Sequence, residues 1–254
     1  MAGTDRYEEI DAARGVAILM MILFHTLFDL SFFHVYPLHV STGFWRYFAF
    51  ATASLFLCIV GISLTISDAR EEGRLAGDAK RRSRIAIKYL KRGTWIFACG
   101  ILVTLATWLY LGEGFVVFGI LHLIGVSIML APLFFRFRKA NVVLGAFVIA
   151  AGIALIAAGA NGPIFLVWLG ISPVSFNSVD YTPLLPWFGV VMAGMGIGEY
   201  LYPDGKRSFS RPGIPPTVSA LLALLGRHSL MIYLVHQPAI LLILQVVARV
   251  PVLG

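Results

Sequence analysis

Charged residues are scarce in this chain of 254 residues, where they make up only 13%. A water-soluble domain normally carries about a quarter. Hydrophobic residues make up 59%, and the mean hydropathy is +0.85. These values exclude an ordinary soluble domain and indicate a polytopic membrane protein. The net charge of +7 is therefore no evidence for nucleic-acid binding, and no nucleic-acid partner is expected.

Cysteine is also rare. The two cysteines, Cys58 and Cys99, both fall within apolar stretches, so no disulfide framework is expected. We predict no metal site. The segment MAGTDRYEEID is acidic and lacks a basic region followed by a short apolar core, which predicts no cleavable signal peptide. No internal repeat is visible, so the apolar segments carry the rest of the interpretation.

Apolar segments long enough to cross a bilayer predict an all-α, polytopic membrane helix bundle with about seven transmembrane helices, in a single domain covering 1–254. The connection 67–92 is too polar to cross and is partly typical of a basic amphipathic helix. Residues 216–226 predict a short interfacial helix. The predicted spans are 12–33, 44–66, 93–111, 115–136, 140–160, 184–202 and 228–248.

The distribution of Lys and Arg predicts the orientation, because short cytoplasmic loops are enriched in both residues. With the N-terminus inside, only Arg46 and Arg249 of the 20 basic residues fall outside. The loops 34–43 and 161–183 then lie on the non-cytoplasmic side. The apolar middle of the second loop, FLVWLG, is expected to lie against the membrane surface. We predict a multi-pass protein of the cytoplasmic membrane.

The first predicted span contains ionisable residues along one helical face. His25 and Asp29 lie about 40° apart around a helix, and Arg14 and His25 about 20° apart and about 16 Å distant along the axis. Asp11 falls on the same face. Ionisable groups near the bilayer centre cost about 2.5–3.5 kcal/mol each on insertion scales, so this polar stripe should face protein or a water-filled cavity.

His25 and Asp29 favour function over simple helix–helix adhesion, because a carboxylate can fix an imidazole tautomer and raise its basicity. The last span, with Ser229, Tyr233, His236 and Gln237, is a candidate for the opposite wall. For the isolated His122 we favour a packing role. For His228 we favour a contact at the membrane boundary, and for the basic run 80–92 a topology signal is as plausible as a ligand site.

Two other classes of protein remain open. A proton-coupled small-molecule transporter would also place a His–Asp pair in a polar cavity, although no inverted repeat is visible. A bis-histidine haem protein is the second, because His25, His122 and His236 all fall within predicted spans.

Three separated segments carry a family resemblance. RYEEIDAARGVAILMMILFHTLFDL resembles the N-terminal signature of transmembrane acyltransferases, and its Arg14 and His25 match the R-x10-H motif of the acyltransferase-3 family. PLLPWFGVVMAGMGIGEYLY and LGRHSLMIYLVHQP are similar to prokaryotic relatives of the heparan-α-glucosaminide N-acetyltransferase catalytic domain. The resemblance covers residue 6 to about residue 240.

The resemblance implies an enzyme that takes an acyl group, usually acetyl, from acyl-CoA in the cytoplasm and passes it to a hydroxyl or amine of a sugar or glycan. His25 would act as the base and Asp29 would orient it. The heparan enzyme has its active histidine in the first non-cytoplasmic loop, which makes His39, or His34, the alternative base.

Acetyl-CoA is the expected co-substrate, and its phosphates need a basic surface. The predicted donor-binding residues are Arg14, Arg82, Lys88, Arg92 and His236. Membrane lipids and a sugar or glycan acceptor are the other expected partners, and the chain is expected to be a monomer or a homodimer.

Overall fold

The computed structural model describes residues 6–210, 213 and 215–247, and within them the chain is helical and contains no strand. The predicted all-α class is therefore confirmed. Arg211 and Arg249, which entered the charge distribution, and residue 248 of the last predicted span lie outside the described residues. The α-helices are α1 (Glu8–Phe32), α2 (Gly43–Arg74), α3 (Arg81–Leu111), α4 (Ile120–Phe134), α5 (Asn141–Ala157), α6 (Leu184–Leu201), α7 (Pro216–Arg227) and α8 (Ser229–Val247).

The connection 67–92 is mostly helical. α2 continues to Arg74 and α3 begins at Arg81, so only residues 75–80 interrupt the two helices. Arg, Glu and Lys are good helix formers, and ion pairs one turn apart or between the two helices hold them. Arg74 pairs with Glu71 at 2.7 Å, and Lys88 pairs with Glu71 at 2.9 Å. The predicted basic amphipathic helix is the first part of α3.

Six helical stretches in the described residues are long and apolar enough to cross a membrane. The fourth, Ile120–Ala157, covers two of the predicted spans, 115–136 and 140–160, and it is 38 residues long. A straight helix of that length would measure about 57 Å, nearly twice the hydrocarbon thickness. The backbone breaks inside the stretch at Arg138, which has φ 45° and ψ −122°. The predicted number of seven spans remains a prediction.

Two compact units make up the chain: unit 1 contains residues up to Phe56 and from Ser210 onward, and unit 2 contains Leu57–Phe209. In unit 2, α4 and α5 run in opposite directions. Glycine contacts show that α4 is antiparallel to α3, because Gly93 lies against Met129 while Gly100 lies against His122. The end of α2 is antiparallel to the start of α3, since Lys88 bonds to Ser67 and Arg81 pairs with Glu72.

The other half of unit 2 gives the direction of α5. Gly194 lies against Cys58 and Gly198 against Ile62, so α6 is parallel to α2. α5 is antiparallel to α6, because Gly152 lies against Pro186 and Gly196 against Val142. α4 therefore runs with α2 and α5 runs against it, and the chain turns back near Arg138.

In unit 1, α1 and α8 run parallel. His25 faces His236 near the middle of both helices, and further along Phe33 packs on Ile240 and Leu244. Successive spans of one chain alternate in direction, so a parallel first and last span favours an odd number of spans. This relation favours the predicted seven over six.

The predicted short helix at 216–226 is α7, and it packs along α1. Gly15 of α1 faces the backbone carbonyl of Leu222, and Gly226 of α7 faces the carbonyl of Asp11. A side chain at either glycine would overlap the facing backbone. The buried residues of α1 are Asp11, Ala12, Gly15, Ala17, Ile18, Met21 and Asp29.

Candidate active site

His25 lies on α1 and is only partly buried. Its Nδ1 is 2.9 Å from the backbone carbonyl oxygen of Met21, one turn earlier. A carbonyl can only accept, so Nδ1 carries the proton and donates it. In the neutral ring Nε2 then holds the lone pair, and no hydrogen bond engages Nε2 within the described residues. His25 thus presents one basic nitrogen of defined identity.

His236 lies on α8, and its ring centroid is 4.9 Å from that of His25, with the ring planes at 81°. Its Nδ1 is 2.6 Å from the backbone carbonyl oxygen of Tyr233, so it too donates from Nδ1. His236 is 9% exposed, and its Nε2 is buried without a hydrogen-bond partner in the described chain. Two imidazoles of the same tautomer therefore lie side by side in unit 1.

Asp29 is bound to α8 rather than to His25. Its two carboxylate oxygens accept from the side-chain nitrogen of Gln237 at 2.9 and 2.8 Å, and Asp29 is only 2% exposed. The sequence predicts that Asp29 orients the ring of His25. In the structure, the hydrogen bond to the Met21 carbonyl orients this ring. Gln237 retains a buried Oε1 with no partner in the described residues.

Arg14 lies on the same helix as His25, near its start. Its guanidinium donates to Asp11 at 2.7 Å, and the Asp11 carboxylate is also 3.8 Å from Arg227 of α7. The side chain of Asp11 is 5% exposed and that of Arg14 is 23% exposed. The polar stripe of α1 therefore has a buried carboxylate between two arginines at one end and the histidine pair further along.

The loop histidines lie apart from these hydrogen bonds. His34 and His39 are exposed, in the connection between α1 and α2. His34 has a positive φ of 56°, and Ser31 closes the turn by donating to the carbonyl of Leu38 at 2.6 Å. The side chain of His39 makes no hydrogen bond within the described part of the chain, so it is free to meet a ligand.

The remaining predicted donor-binding residues belong to unit 2. Arg82 and Arg92 are exposed on α3. Lys88, between them, is held by Glu71 at 2.9 Å and donates to the Ser67 hydroxyl at 3.2 Å. The lysine charge is thus already compensated inside the protein, whereas the two arginines face solvent.

His122 has the packing role that its apolar neighbours predict. Its Nδ1 accepts from the Gly119 backbone N–H at 3.2 Å, and its Nε2 lies 3.4 Å from the Thr104 hydroxyl. Both ring nitrogens are therefore engaged by the protein, and Phe97 and Phe118 cover the ring. This arrangement makes His122 unsuitable as an axial ligand for haem.

Asp180 is a residue of interest to which sequence reasoning assigned no role. Its carboxylate accepts from the backbone N–H of Ile120 at the start of α4, at 3.2 Å. Burial raises the pKa of Asp180 to about 6, although the Ile120 hydrogen bond acts in the opposite direction. The loop is joined to the α3–α4 connection, because Val179 donates to the Gly114 carbonyl at 2.8 Å and Thr182 to that of Phe118 at 2.9 Å. In the sequence, only the position of Asp180 shortly before α6 indicates that this residue could have a role.

Six apolar helical stretches in the described residues are long enough to cross a membrane and indicate a multi-pass membrane protein, in whose unit 1 two histidine rings meet. The family model described as heparan-alpha-glucosaminide N-acetyltransferase, catalytic, matches residues 6–238, and the chain belongs to this family. Membership supports a membrane N-acetyltransferase-type function. It confirms the predicted resemblance to that catalytic domain, while the R-x10-H motif stays a prediction. No curated protein and no solved structure matches the chain.

Proposed function

We propose that this protein is an enzyme of the cytoplasmic membrane that moves an acyl group, most simply acetyl, from cytoplasmic acyl-CoA to a sugar or glycan acceptor. The nucleophile is a hydroxyl or an amine of that acceptor. The family supports the acetyl-transfer chemistry, and the six long apolar stretches support the membrane location.

One observation carries the proposal: the Met21 carbonyl holds the proton of His25 on Nδ1 and leaves Nε2 as a base. A general base needs a lone pair at a defined position within reach of the proton it removes. A histidine serving only to join helices would be expected to engage both nitrogens, as His122 does.

In the reaction, Nε2 of His25 takes the proton from the acceptor heteroatom as that atom attacks the thioester carbonyl carbon. The new bond joins the acceptor oxygen or nitrogen to the acyl carbon, and the bond that breaks joins that carbon to sulfur. The departing thiolate then receives the proton and leaves as CoA. Asp29, fixed by Gln237, supplies a negative charge on the same helical face and stabilises the transient imidazolium.

The donor requires cations for its phosphates. Arg14, Arg82 and Arg92 are the proposed phosphate-binding groups, because a guanidinium presents several donors in a planar fork. Lys88 would contribute less, since Glu71 already neutralises it. For Arg14, donor binding would have to compete with its ion pair to Asp11.

His39 is the second candidate base. Its exposed side chain, which makes no hydrogen bond within the described residues, is available to an acceptor. A loop base would leave the buried pair without a catalytic role, so the two candidates differ in their response to substitution.

The test uses the purified full chain in detergent with acetyl-CoA and a panel of amino sugars and neutral sugars. The readout is acceptor-dependent release of the CoA thiol, with calorimetric titration of acetyl-CoA alongside. We expect thiol release with at least one acceptor, and weaker acetyl-CoA binding in Arg14→Ala than in the wild type. Failure of the wild type to bind acetyl-CoA or a longer acyl-CoA would overturn the proposal.

A further inference from the structure

The histidine pair has an arrangement that one base alone does not require. His25 and His236 come from different helices, and each donates from Nδ1 to a backbone carbonyl. Both Nε2 atoms are therefore acceptors when the rings are neutral. Two hydrogen-bond acceptors cannot bond to each other. The neutral pair therefore has no hydrogen bond between its two Nε2 atoms until a proton, or a group that carries an N–H or O–H, enters.

Within the described residues, no side chain or backbone N–H donates to the ring nitrogen Nε2 of His236. This nitrogen is buried. A buried polar atom without a hydrogen bond destabilises the folded state, so such an atom calls for an explanation. The ring of His25, 4.9 Å away, is the group that would carry a proton toward it.

We propose that His25 and His236 act as one proton-holding pair, in which His236 stabilises the proton that His25 removes from the acceptor. This inference rests on the proposed acyl transfer. Protonation turns the Nε2 of one ring into a hydrogen-bond donor and leaves the Nε2 of the other ring as its acceptor, so the two rings can share a single N–H⁺ group. The pair then returns the same proton to the CoA thiolate, and its charge is unchanged after one turnover.

The charged and titratable groups around the pair are compatible with one added positive charge. On α1, Asp29 lies one turn from His25. On α8, the ring of Tyr233 lies 5.5 Å from that of His236, and Gln237 binds Asp29. His236 acts through His25 in this scheme and is a positioning residue, because the acceptor meets His25.

The test compares His236→Gln and His236→Ala with His228→Gln. His228 is the matched control, because it is an exposed histidine directly before α8. The readout is kcat, with the KM for the acyl acceptor measured in the same experiment. Because His236 stabilises the removed proton and does not bind the acyl acceptor, we expect His236→Gln to lower kcat by about 10- to 100-fold, at or below the lower limit for general acid–base catalysis, and to leave that KM unchanged. His228→Gln keeps the wild-type kcat and KM.

Added imidazole gives a second readout that a purely structural role would not produce. It should restore a measurable part of kcat to His236→Ala and none to His236→Gln, whose side chain fills the space. Wild-type kcat in His236→Gln together with no rescue of His236→Ala would overturn the proposal. If His236→Ala does not fold, as judged by size-exclusion chromatography, the kcat and KM of His236→Gln decide alone.

Failure of the proposed function gives a different result. If the wild type transfers no acyl group, ¹⁵N-histidine NMR of the full chain still reports on the pair. Shared protonation shifts the Nε2 signals of both histidines in one step, and His236→Gln leaves His25 to shift alone. Independent shifts of the two wild-type signals would contradict proton sharing whatever the enzyme's activity.

Discussion

Asp29 and Gln237 join the first and last long helices through two hydrogen bonds of 2.9 and 2.8 Å, with the amide as donor and the carboxylate as acceptor. Asp29 is 2% exposed, so the two helices bury this carboxylate between them. The bond fixes the register of α1 against α8 and, with it, the distance between His25 and His236.

Gln237→Glu should break this register. A second carboxylate would face Asp29 at hydrogen-bonding distance, and like charges in a buried site repel strongly. We expect a loss of unfolding free energy on the order of 3 kcal/mol, seen as a lower Tm in detergent. The double variant Asp29→Asn with Gln237→Glu restores an amide–carboxylate pair in reverse and should recover most of the Tm. A double variant no more stable than Gln237→Glu would contradict the pairing.

Gly15→Ala should separate α7 from α1. A Cβ at this position would overlap the carbonyl oxygen of Leu222, and this backbone contact can only be relieved by moving a helix. Overpacking of this kind costs about 1–3 kcal/mol. Gly73→Ala is the matched control, because it lies in helix α2 with no heavy atom within 4 Å of the added Cβ. Thermal unfolding should show a lower Tm for Gly15→Ala only; equal values would contradict the close approach.

Asp180 should make stability depend on pH. Its pKa in the folded protein is raised to about 6 from an ordinary value of 3.8. The folded state holds this proton more tightly than the unfolded chain, so the contribution is complete below pH 3.8 and is lost as the pH rises through about 6. Asp180→Asn keeps an oxygen for the Ile120 N–H and removes the charge. We expect it to raise the Tm at pH 7.5 relative to the wild type and to leave the two similar at pH 4. A lower Tm at pH 7.5 would show that the charged carboxylate is stabilising.

The direction of the spans predicts which side of the membrane each loop faces. Val174 is 88% exposed in the loop 161–183. With the N-terminus inside, this residue lies outside if α4 and α5 are two spans, and inside if Ile120–Ala157 crosses the membrane only once. In a chain with Cys58 and Cys99 replaced by Ala, Val174→Cys should react with a membrane-impermeant maleimide on intact cells. Lys80→Cys, in the short connection between α2 and α3, should react only after the membrane is opened. The reverse pattern would contradict the predicted orientation.

Sequence periodicity was sufficient to predict the stripe on α1, because residues at a known helical spacing share a face whatever lies opposite. Hydropathy predicts the apolar segments, because the thickness of the bilayer sets the length that a span needs. The connection 67–92 is predicted to be helical only in part, and the structure also extends α2 to Arg74. Hydropathy does not predict this polar end of α2, because hydropathy reports membrane burial and not helicity.

The sequence does not predict which residues contact the polar stripe of α1. Nothing in the local pattern of α8 states that His236 meets His25 or that Gln237 takes the carboxylate of Asp29, because these contacts depend on which helices become neighbours. The sequence predicts that Asp29 orients His25, whereas in the structure His25 bonds to the carbonyl of Met21 and Asp29 accepts from Gln237. The burial of Asp180 likewise depends on two loops that meet only after folding.

The central claim is that Nε2 of His25 is the catalytic base. The most direct measurement is the steady-state rate of acyl transfer by His25→Gln, with acetyl-CoA binding measured on the same preparation. We predict a kcat lower by about 10²- to 10⁴-fold and unchanged acetyl-CoA affinity, with His228→Gln as active as the wild type. Wild-type kcat in His25→Gln, together with loss of activity in His39→Gln, would contradict the claim and place the base in the loop.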